Sequence, residues 1–144
     1  MSGEYRNIYQ IPREATGLTQ EKAAEILDIS VESLRAYETG KRIPQDKAVI
    51  KMIEIYGAGY LAYQHLKTSA EVGQEYMPNV QLSDLPTAVL RLQKEITGFL
   101  NCKDEMIALA CDGEITEDEK PHWEMILEKL DNIAGAIMSV KFAK

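Results

Sequence analysis

The sequence predicts an all-α protein, and three observations favour this fold class. Apolar residues recur at the spacing of helix faces through most of the 144 residues. No segment alternates convincingly between apolar and polar residues, as a half-buried strand would. Glycine, proline and capping residues stand at intervals that suit helices of ordinary length. With 45% hydrophobic residues, the chain can bury a core as one compact domain or as a small domain with an appendage.

Five short helices are predicted in residues 1–67, and we expect them to pack as one small domain. Thr19 and Ser30 are good N-caps, because their hydroxyl oxygens can accept hydrogen bonds from the free N–H groups of a first turn. Pro12, or the turn before it, begins a helix that ends near Gly17. The other predicted helices run from Thr19 to about Leu27, from Ser30 to Gly40, from Pro44 to Gly57, and over GYLAYQHLK.

The second half is predicted to form a long antiparallel helical hairpin. Residues 68–83 lose the helical periodicity and contain Gly, Pro and Asn, so they are predicted to be a connector. Residues 84–144 contain two amphipathic helices with the three-and-four spacing of a coiled-coil seam. The seam residues are Val89, Leu92, Ile96, Phe99, Met106 and Ala110 in the first helix, and Trp123, Ile126, Leu130, Ile133, Ile137 and Val140 in the second.

These two helices carry more apolar surface than one hairpin can bury. Extra apolar residues widen each stripe beyond the seam: Leu90, Leu100, Ile107, Leu109, Leu127 and Met138. Four helices from two chains would close such a core, so we expect a homodimer through residues 84–144. The alternative is that the hairpin caps the N-terminal domain of its own chain.

The formal net charge of -7 is concentrated in the second half. Residues 1–67 contain nine Lys or Arg and nine Asp or Glu, whereas residues 68–144 contain seven against fourteen. The neutral first half can still present a locally positive surface where Arg35, Lys41 and Arg42 cluster. Such a surface would bind DNA weakly without sequence-specific contacts, because nonspecific affinity comes mostly from phosphate neutralisation.

No enzyme, cofactor or metal site is predicted. Cys102 and Cys111 are nine residues apart in a segment that reads as one helix, so they would point to roughly opposite faces. His65 and His122 have no Cys or His partner at ligand spacing and no recognisable nucleophile beside them. The N-terminus lacks the order of a signal peptide, and the longest apolar run, MIALAC, is too short to span a bilayer. We therefore expect a cytoplasmic protein.

The run CDGEITEDE, residues 111–119, is similar to half of a calcium loop. Aligning Gly113 with the turn glycine of such a loop places Ala108 and Ala110 where carboxylate ligands are required. An interhelix turn at Asp112–Gly113, followed by a capping box of Thr116 and Glu119, explains the same residues better.

Residues 18–44, LTQEKAAEILDISVESLRAYETGKRIP, have the pattern of two helices joined by a tight turn. With Gln20 as the first position, Ala24 is small enough to let the two helices approach. The inner face has bulky residues at Leu27, Ile29, Leu34 and Tyr37.

The second helix of this pair is the candidate DNA reader. Its exposed face is predicted to carry Val31, Glu32, Ser33 and Arg35, which would enter the major groove. The residues expected to contact phosphates are Gln20 and Ser30 at the helix starts, and Lys41 and Arg42 after the reading helix.

The run REATGLTQEKAAEILDISVESLRAYETGKRIP resembles the XRE family of bacterial and phage DNA-binding domains, of the Cro and lambda-repressor type. It matches the R-E-x-x-G-L-T-Q start and the E-x-G-x-x-x-P end of that family, over about residues 5–67. The resemblance implies a five-helix lambda-repressor-like fold and an internal ion pair between Arg13 and Glu38. The tail, with LPTAVLRLQKEI and DGEITEDEKPHWEMILEKLD, is similar to the helical tails of XRE-type proteins and, more faintly, to phage regulators with an acidic helical C-terminus.

The sequence departs from the family pattern in the turn and at the start of the reading helix. Asp28 stands where the turn usually has glycine, and Val31 and Glu32 replace a polar start of the reading helix. Glu32 would repel phosphate but can accept a hydrogen bond from cytosine N4, and Val31 can touch a thymine methyl. The alternative is that this face binds a protein instead of DNA.

The resulting hypothesis is a sequence-specific transcriptional regulator of bacterial, phage or mobile-element origin that binds double-stranded DNA without a cofactor. The alternative is an adaptor that uses the same domain and the acidic hairpin to bind another protein, such as a repressor or a polymerase subunit.

Overall fold

The computed structural model describes residues 7–143, and every regular element in that range is a helix. Residues 1–6 and Lys144, the outer ends of the predicted domain and hairpin, lie outside the described residues. The chain divides into two compact units, Met1–Met77 and Pro78–Lys144. The first contains α1 (Gln10–Ala15), α2 (Gln20–Leu27), α3 (Val31–Glu38), α4 (Asp46–Tyr56), α5 (Tyr60–Ser69) and α6 (Glu71–Tyr76). The second contains α7 (Leu85–Leu100), α8 (Lys103–Ala110) and α9 (Lys120–Phe142).

The predicted N-caps are confirmed. The Thr19 hydroxyl accepts a hydrogen bond from the Lys22 N–H at 3.1 Å, and the Ser30 hydroxyl accepts one from the Ser33 N–H at 3.0 Å. The capping box predicted before α9 forms only in part: the Thr116 N–H donates to the Glu119 carboxylate at 2.9 Å, but the Thr116 hydroxyl donates to the same carboxylate and the Glu119 N–H donates to the Thr116 carbonyl. These caps satisfy N–H groups that have no partner within their own helix.

The core of the first unit lies between α2, α3, α4 and α5. Leu27, Leu34, Met52 and Leu61 are fully buried there. The start of α1 is tied to α3 by Asn7, whose side-chain amide donates to the Tyr37 carbonyl. Burial of such apolar side chains is the main favourable contribution to the stability of a small helical domain.

Two predictions for residues 44–83 are wrong. The fourth helix does not start at Pro44: Gln45 has an extended backbone and serves as the N-cap, so α4 begins at Asp46. The segment predicted as a connector contains α6. Gly73, which suggested a loop, is a packing residue, because a Cβ there would lie 2.3 Å from the Leu66 carbonyl oxygen.

The first arm of the hairpin is two helices, so the prediction of one continuous helix is wrong. Residues Asn101 and Cys102 separate α7 from α8, and the Cys102 N–H donates to the Phe99 carbonyl in a tightened turn at 2.9 Å. Asparagine favours such helix ends because its side chain competes with the backbone for hydrogen bonds. Cys102 and Cys111, both free thiols, lie at the two ends of α8.

The seam between α7 and α9 also differs from the prediction. Val89, Ile96 and Ile137 are 39%, 36% and 44% exposed, whereas small residues occupy the buried contact. The Ser139 hydroxyl donates to the Gln81 carbonyl at 2.7 Å, so residues 79–81 lie directly across α9. The buried small residues are Ala88, Gly135, Ala136 and Ser139.

Small residues at this contact allow backbones to approach closely. A Cβ at Gly135 would lie 2.3 Å from the Asn79 carbonyl oxygen. Val89, Ile96 and Ile137 therefore lie at the flanks of the seam, whereas Ile126, which was also predicted for the seam, is almost completely buried. Among the described residues, no helix is both long and apolar enough to cross a membrane.

Candidate nucleic-acid interface

The helices α2 and α3 form a compact pair joined by residues 28–30. Ala24 and Leu34, one from each helix, are almost completely buried. Asp28 has φ 57° and ψ 47°, the left-handed conformation expected at this turn, and the Ile29 N–H donates to the Ala24 carbonyl at 3.1 Å. This hydrogen bond closes the end of α2 and directs the chain into α3.

A buried ion pair holds α1 against α3. Arg13 Nε donates to Glu38 Oε1 at 2.5 Å and Nη2 donates to Oε2 at 3.0 Å, and both side chains are buried. The remaining terminal nitrogen, Nη1, donates to the Leu18 carbonyl at 2.6 Å. The hydrogen bond to Glu38 raises the pKa of Arg13 above its ordinary value. Because each charge has its partners, neither is left uncompensated in the interior.

Gln20 is hydrogen-bonded to protein groups at both ends of its side-chain amide. Its Nε2 donates to Glu38 Oε2 at 2.8 Å, and its Oε1 accepts from Arg35 Nε at 3.1 Å. The sequence-based expectation was a phosphate contact. In the structure the amide connects the buried Glu38 to the exposed Arg35, which also lies 3.6 Å from the Glu21 carboxylate.

The exposed face of α3 matches the predicted residues only in part. Glu32 and Arg35 are exposed and Ser33 is half-buried. Val31 is also half-buried and packs against the core, so less of its side chain is available than expected. The exposed face of α3 is therefore centred on Glu32 and Arg35 and not on Val31, the first residue of the helix.

Sequence reasoning missed two residues of this face. Ala36 and Thr39 follow Glu32 by four and seven residues, the spacing that places them on the same side of a helix. Thr39 is exposed and Ala36 is half-buried. A helical projection centred on Glu32, rather than on the start of the helix, would have identified both.

A second side-chain network lies on the opposite edge of that face. The Ser30 hydroxyl donates to the Ser33 hydroxyl at 2.9 Å, and Arg42 Nη2 donates to the Ser33 hydroxyl at 2.7 Å. The Arg42 guanidinium also lies 5.1 Å from the centre of the Tyr37 ring, within range of a cation–π interaction. Arg42 is thus held beside α3, and Lys41 next to it is exposed.

The surface formed by α2 and α3 has charges of both signs. Lys22 pairs with Glu25 at 3.0 Å, and Glu21 faces Arg35. A phosphate or a base edge would have to compete with Glu21 for the guanidinium. This arrangement agrees with the neutral charge balance of the first half of the sequence and favours contacts that depend on geometry over general attraction to DNA.

A family model described as helix-turn-helix matches residues 13–61. No curated protein and no solved structure matches the chain. The matched region contains α2, the turn and α3, and it supports an XRE-like helix-turn-helix domain at the N-terminus. Members of this family are in general DNA-binding regulators. Residues 7–143 are therefore all-helical in their regular structure, with a helix-turn-helix domain followed by long helices.

Proposed function

We propose that this protein is a sequence-specific DNA-binding transcriptional regulator of the bacterial, phage or mobile-element type, acting in the cytoplasm. The observation that carries the proposal is the α2–turn–α3 geometry, which leaves one face of α3 exposed and places Arg35 and Arg42 at its two edges. A helix of this kind fits the major groove, where side chains can reach base edges.

Arg35 and Glu32 are the proposed readers of bases. Arginine can donate two hydrogen bonds to a guanine, and glutamate can accept one from cytosine N4. Ser30, Lys41 and Arg42 are proposed to contact the flanking phosphates, since Ser30 lies at the N-terminus of α3 and the two cations follow its C-terminus. Ala36, which is small and lies on the same side of α3 as Glu32, is placed to contact a thymine methyl.

Residues 84–144 are proposed to assemble two chains into a homodimer. Leu85, Val89, Ile96 and Leu100 are all at least one-third exposed and are spaced so that they share one side of α7. This apolar side flanks the small-residue contact with α9, in which Ala88 is buried. A second copy would bury it, and a dimer would present two copies of α3 to a two-fold symmetric DNA site.

The competing function is a protein-binding adaptor, which the acidic second half favours. Residues 68–144 hold all of the net negative charge, and such a surface can bind a basic partner protein.

Selection from random double-stranded DNA with the purified full-length protein tests the proposal. A regulator would enrich one motif, and a dimer would make that motif two-fold symmetric. If no sequence is enriched while a partner protein is captured in the absence of DNA, the adaptor is correct.

A further inference from the structure

The Gln20 side chain on α2 is hydrogen-bonded to two residues of α3, the buried Glu38 and the exposed Arg35. Its amide nitrogen can only donate and its amide oxygen can only accept, so the carboxylate of Glu38 and the Nε–H of Arg35 together define one orientation of the amide. Reversing the amide would place N–H groups against the arginine and an oxygen against the carboxylate. The side chain is therefore fixed by both partners.

These contacts form one chain of hydrogen bonds from the core to the surface. Arg13 fixes Glu38 through two hydrogen bonds in the interior, Glu38 fixes the Gln20 nitrogen, and the Gln20 oxygen holds Arg35. Arg13 and Glu38 are buried, whereas the Arg35 side chain is 55% exposed. An exposed arginine normally samples many rotamers, and the ordering cost is paid when it binds.

The contact also selects which edge of the guanidinium remains available. Arg35 Nε is engaged by Gln20, which leaves the terminal nitrogens Nη1 and Nη2 as the donors for a base, and a guanine would have to displace the Glu21 carboxylate that lies 3.6 Å from Nη2. Two donors side by side match the O6 and N7 acceptors of guanine in the major groove.

We propose that Gln20 is a positioning residue, which orders Arg35 before DNA binds and so determines the base preference of α3. In this role Gln20 acts through Arg35 and not through a direct contact with a phosphate. The proposal rests on the DNA-binding function above. One determinant of base preference would then lie on α2, outside the helix that enters the groove.

A double-mutant cycle in the full chain tests this role on the selected DNA site. Gln20→Met keeps the length and packing of the side chain but removes both hydrogen bonds. We expect it to weaken binding about three- to tenfold and to relax the preference at the base pair that Arg35 reads. In an Arg35→Ala background the same change should have little further effect, because there is no guanidinium left to order.

The rival roles give different results in the same cycle. A direct phosphate contact would make Gln20→Met weaken all DNA sequences equally, and its effect would add to that of Arg35→Ala. A purely structural role would lower the thermal midpoint of unfolding and weaken every sequence together. Either pattern would overturn the positioning role.

A measurement on the free protein separates this inference from the function itself. In nitrogen-15 NMR relaxation, the Arg35 Nε–H should be ordered in the wild-type chain and mobile in Gln20→Met. Equal mobility of this N–H group in the two proteins refutes the positioning role, irrespective of the results of the DNA-binding measurements. An ordered Nε–H in a protein that prefers no DNA sequence shows that the contact exists but that the proposed function is wrong.

Discussion

The Glu21 carboxylate lies 3.6 Å from the Arg35 guanidinium, in a pair whose members are both more than half exposed. Because Glu21 competes for the proposed reading residue and repels phosphate, Glu21→Gln should tighten DNA binding. An exposed pair is worth roughly 0.2 to 1 kcal/mol, which corresponds to a gain of up to about fivefold. Fluorescence anisotropy with labelled DNA measures this change.

Glu25→Gln is the matched control for that experiment. It makes the same change in net charge on the same helix, but Glu25 pairs with Lys22 and not with Arg35. Its effect should be smaller than that of Glu21→Gln and should vanish sooner as salt is raised. Equal effects of the two substitutions would mean that only overall charge matters.

Removing Arg35 should reduce both affinity and selectivity. We expect Arg35→Ala to cost roughly 1 to 3 kcal/mol of specific binding and to relax the preference at one base pair. Lys141→Ala, which removes an exposed cation from the last turn of α9, serves as the control for net charge. Arg35 would not be a reader if its loss changed affinity on specific and random DNA by the same factor.

The apolar side of α7 should control the oligomeric state. Ile96→Glu places a charge in the proposed dimer contact, whereas Thr97→Glu adds the same charge to an exposed residue beside it. Light scattering after size exclusion should show two chains for the wild type and for Thr97→Glu, and one chain for Ile96→Glu. A wild-type protein that is monomeric at all concentrations would contradict the proposed assembly.

Asp28 should limit the stability of the helix pair. Its φ of 57° is disfavoured for residues with a side chain, so Asp28→Gly should raise the free energy of unfolding by up to about 1 kcal/mol. Asp28→Ala should lower it, because alanine keeps the Cβ and loses the short polar group that tolerates this conformation. Urea denaturation of the three proteins gives the order directly, and a more stable Ala variant would refute the argument.

Tyr56 should make stability fall at alkaline pH. Its hydroxyl is buried with no hydrogen-bond partner among the described residues, and burial raises the pKa of Tyr56 to about 12. The unfolded phenol ionises near its ordinary pKa of 10.0, so the stability it contributes is complete below pH 10 and decreases as pH approaches 12. Tyr56→Phe should weaken this decrease and raise stability at neutral pH by about 1 kcal/mol.

Tyr76→Phe is the control for alkaline unfolding, because Tyr76 is 81% exposed. It should leave both the neutral stability and its pH dependence unchanged. If the two Phe variants behave alike in denaturation from pH 9 to 12, the buried phenol is not the cause.

Local signals in the sequence predicted much of this fold. The caps at Thr19 and Ser30 depend on residues within three positions of one another, so the pattern contains the whole interaction. The left-handed turn at Asp28 follows instead from the family resemblance, because glycine usually stands at this position of the turn.

Contacts between distant residues could not be predicted in this way. Gly73 and Gly135 resemble breakers in sequence, and only the carbonyl oxygens packed against them show that they permit close approach. The hydrogen bonds of Gln20 are of the same kind, because its partners, Glu38 and Arg35, are eighteen and fifteen positions away. The inner face of α9 shifted because residues 79–81, with no periodic pattern, occupy part of it.

The networks around α3 have a consequence for attempts to change DNA specificity by transplanting a reading helix. Arg35 and Glu38 in α3 both bind a side chain of α2, and Ser33 binds Arg42, which lies beyond the helix. A donor segment limited to residues 31–38 would leave Gln20 and Arg42 without their partners. The transferable unit is the helix together with positions 20 and 42.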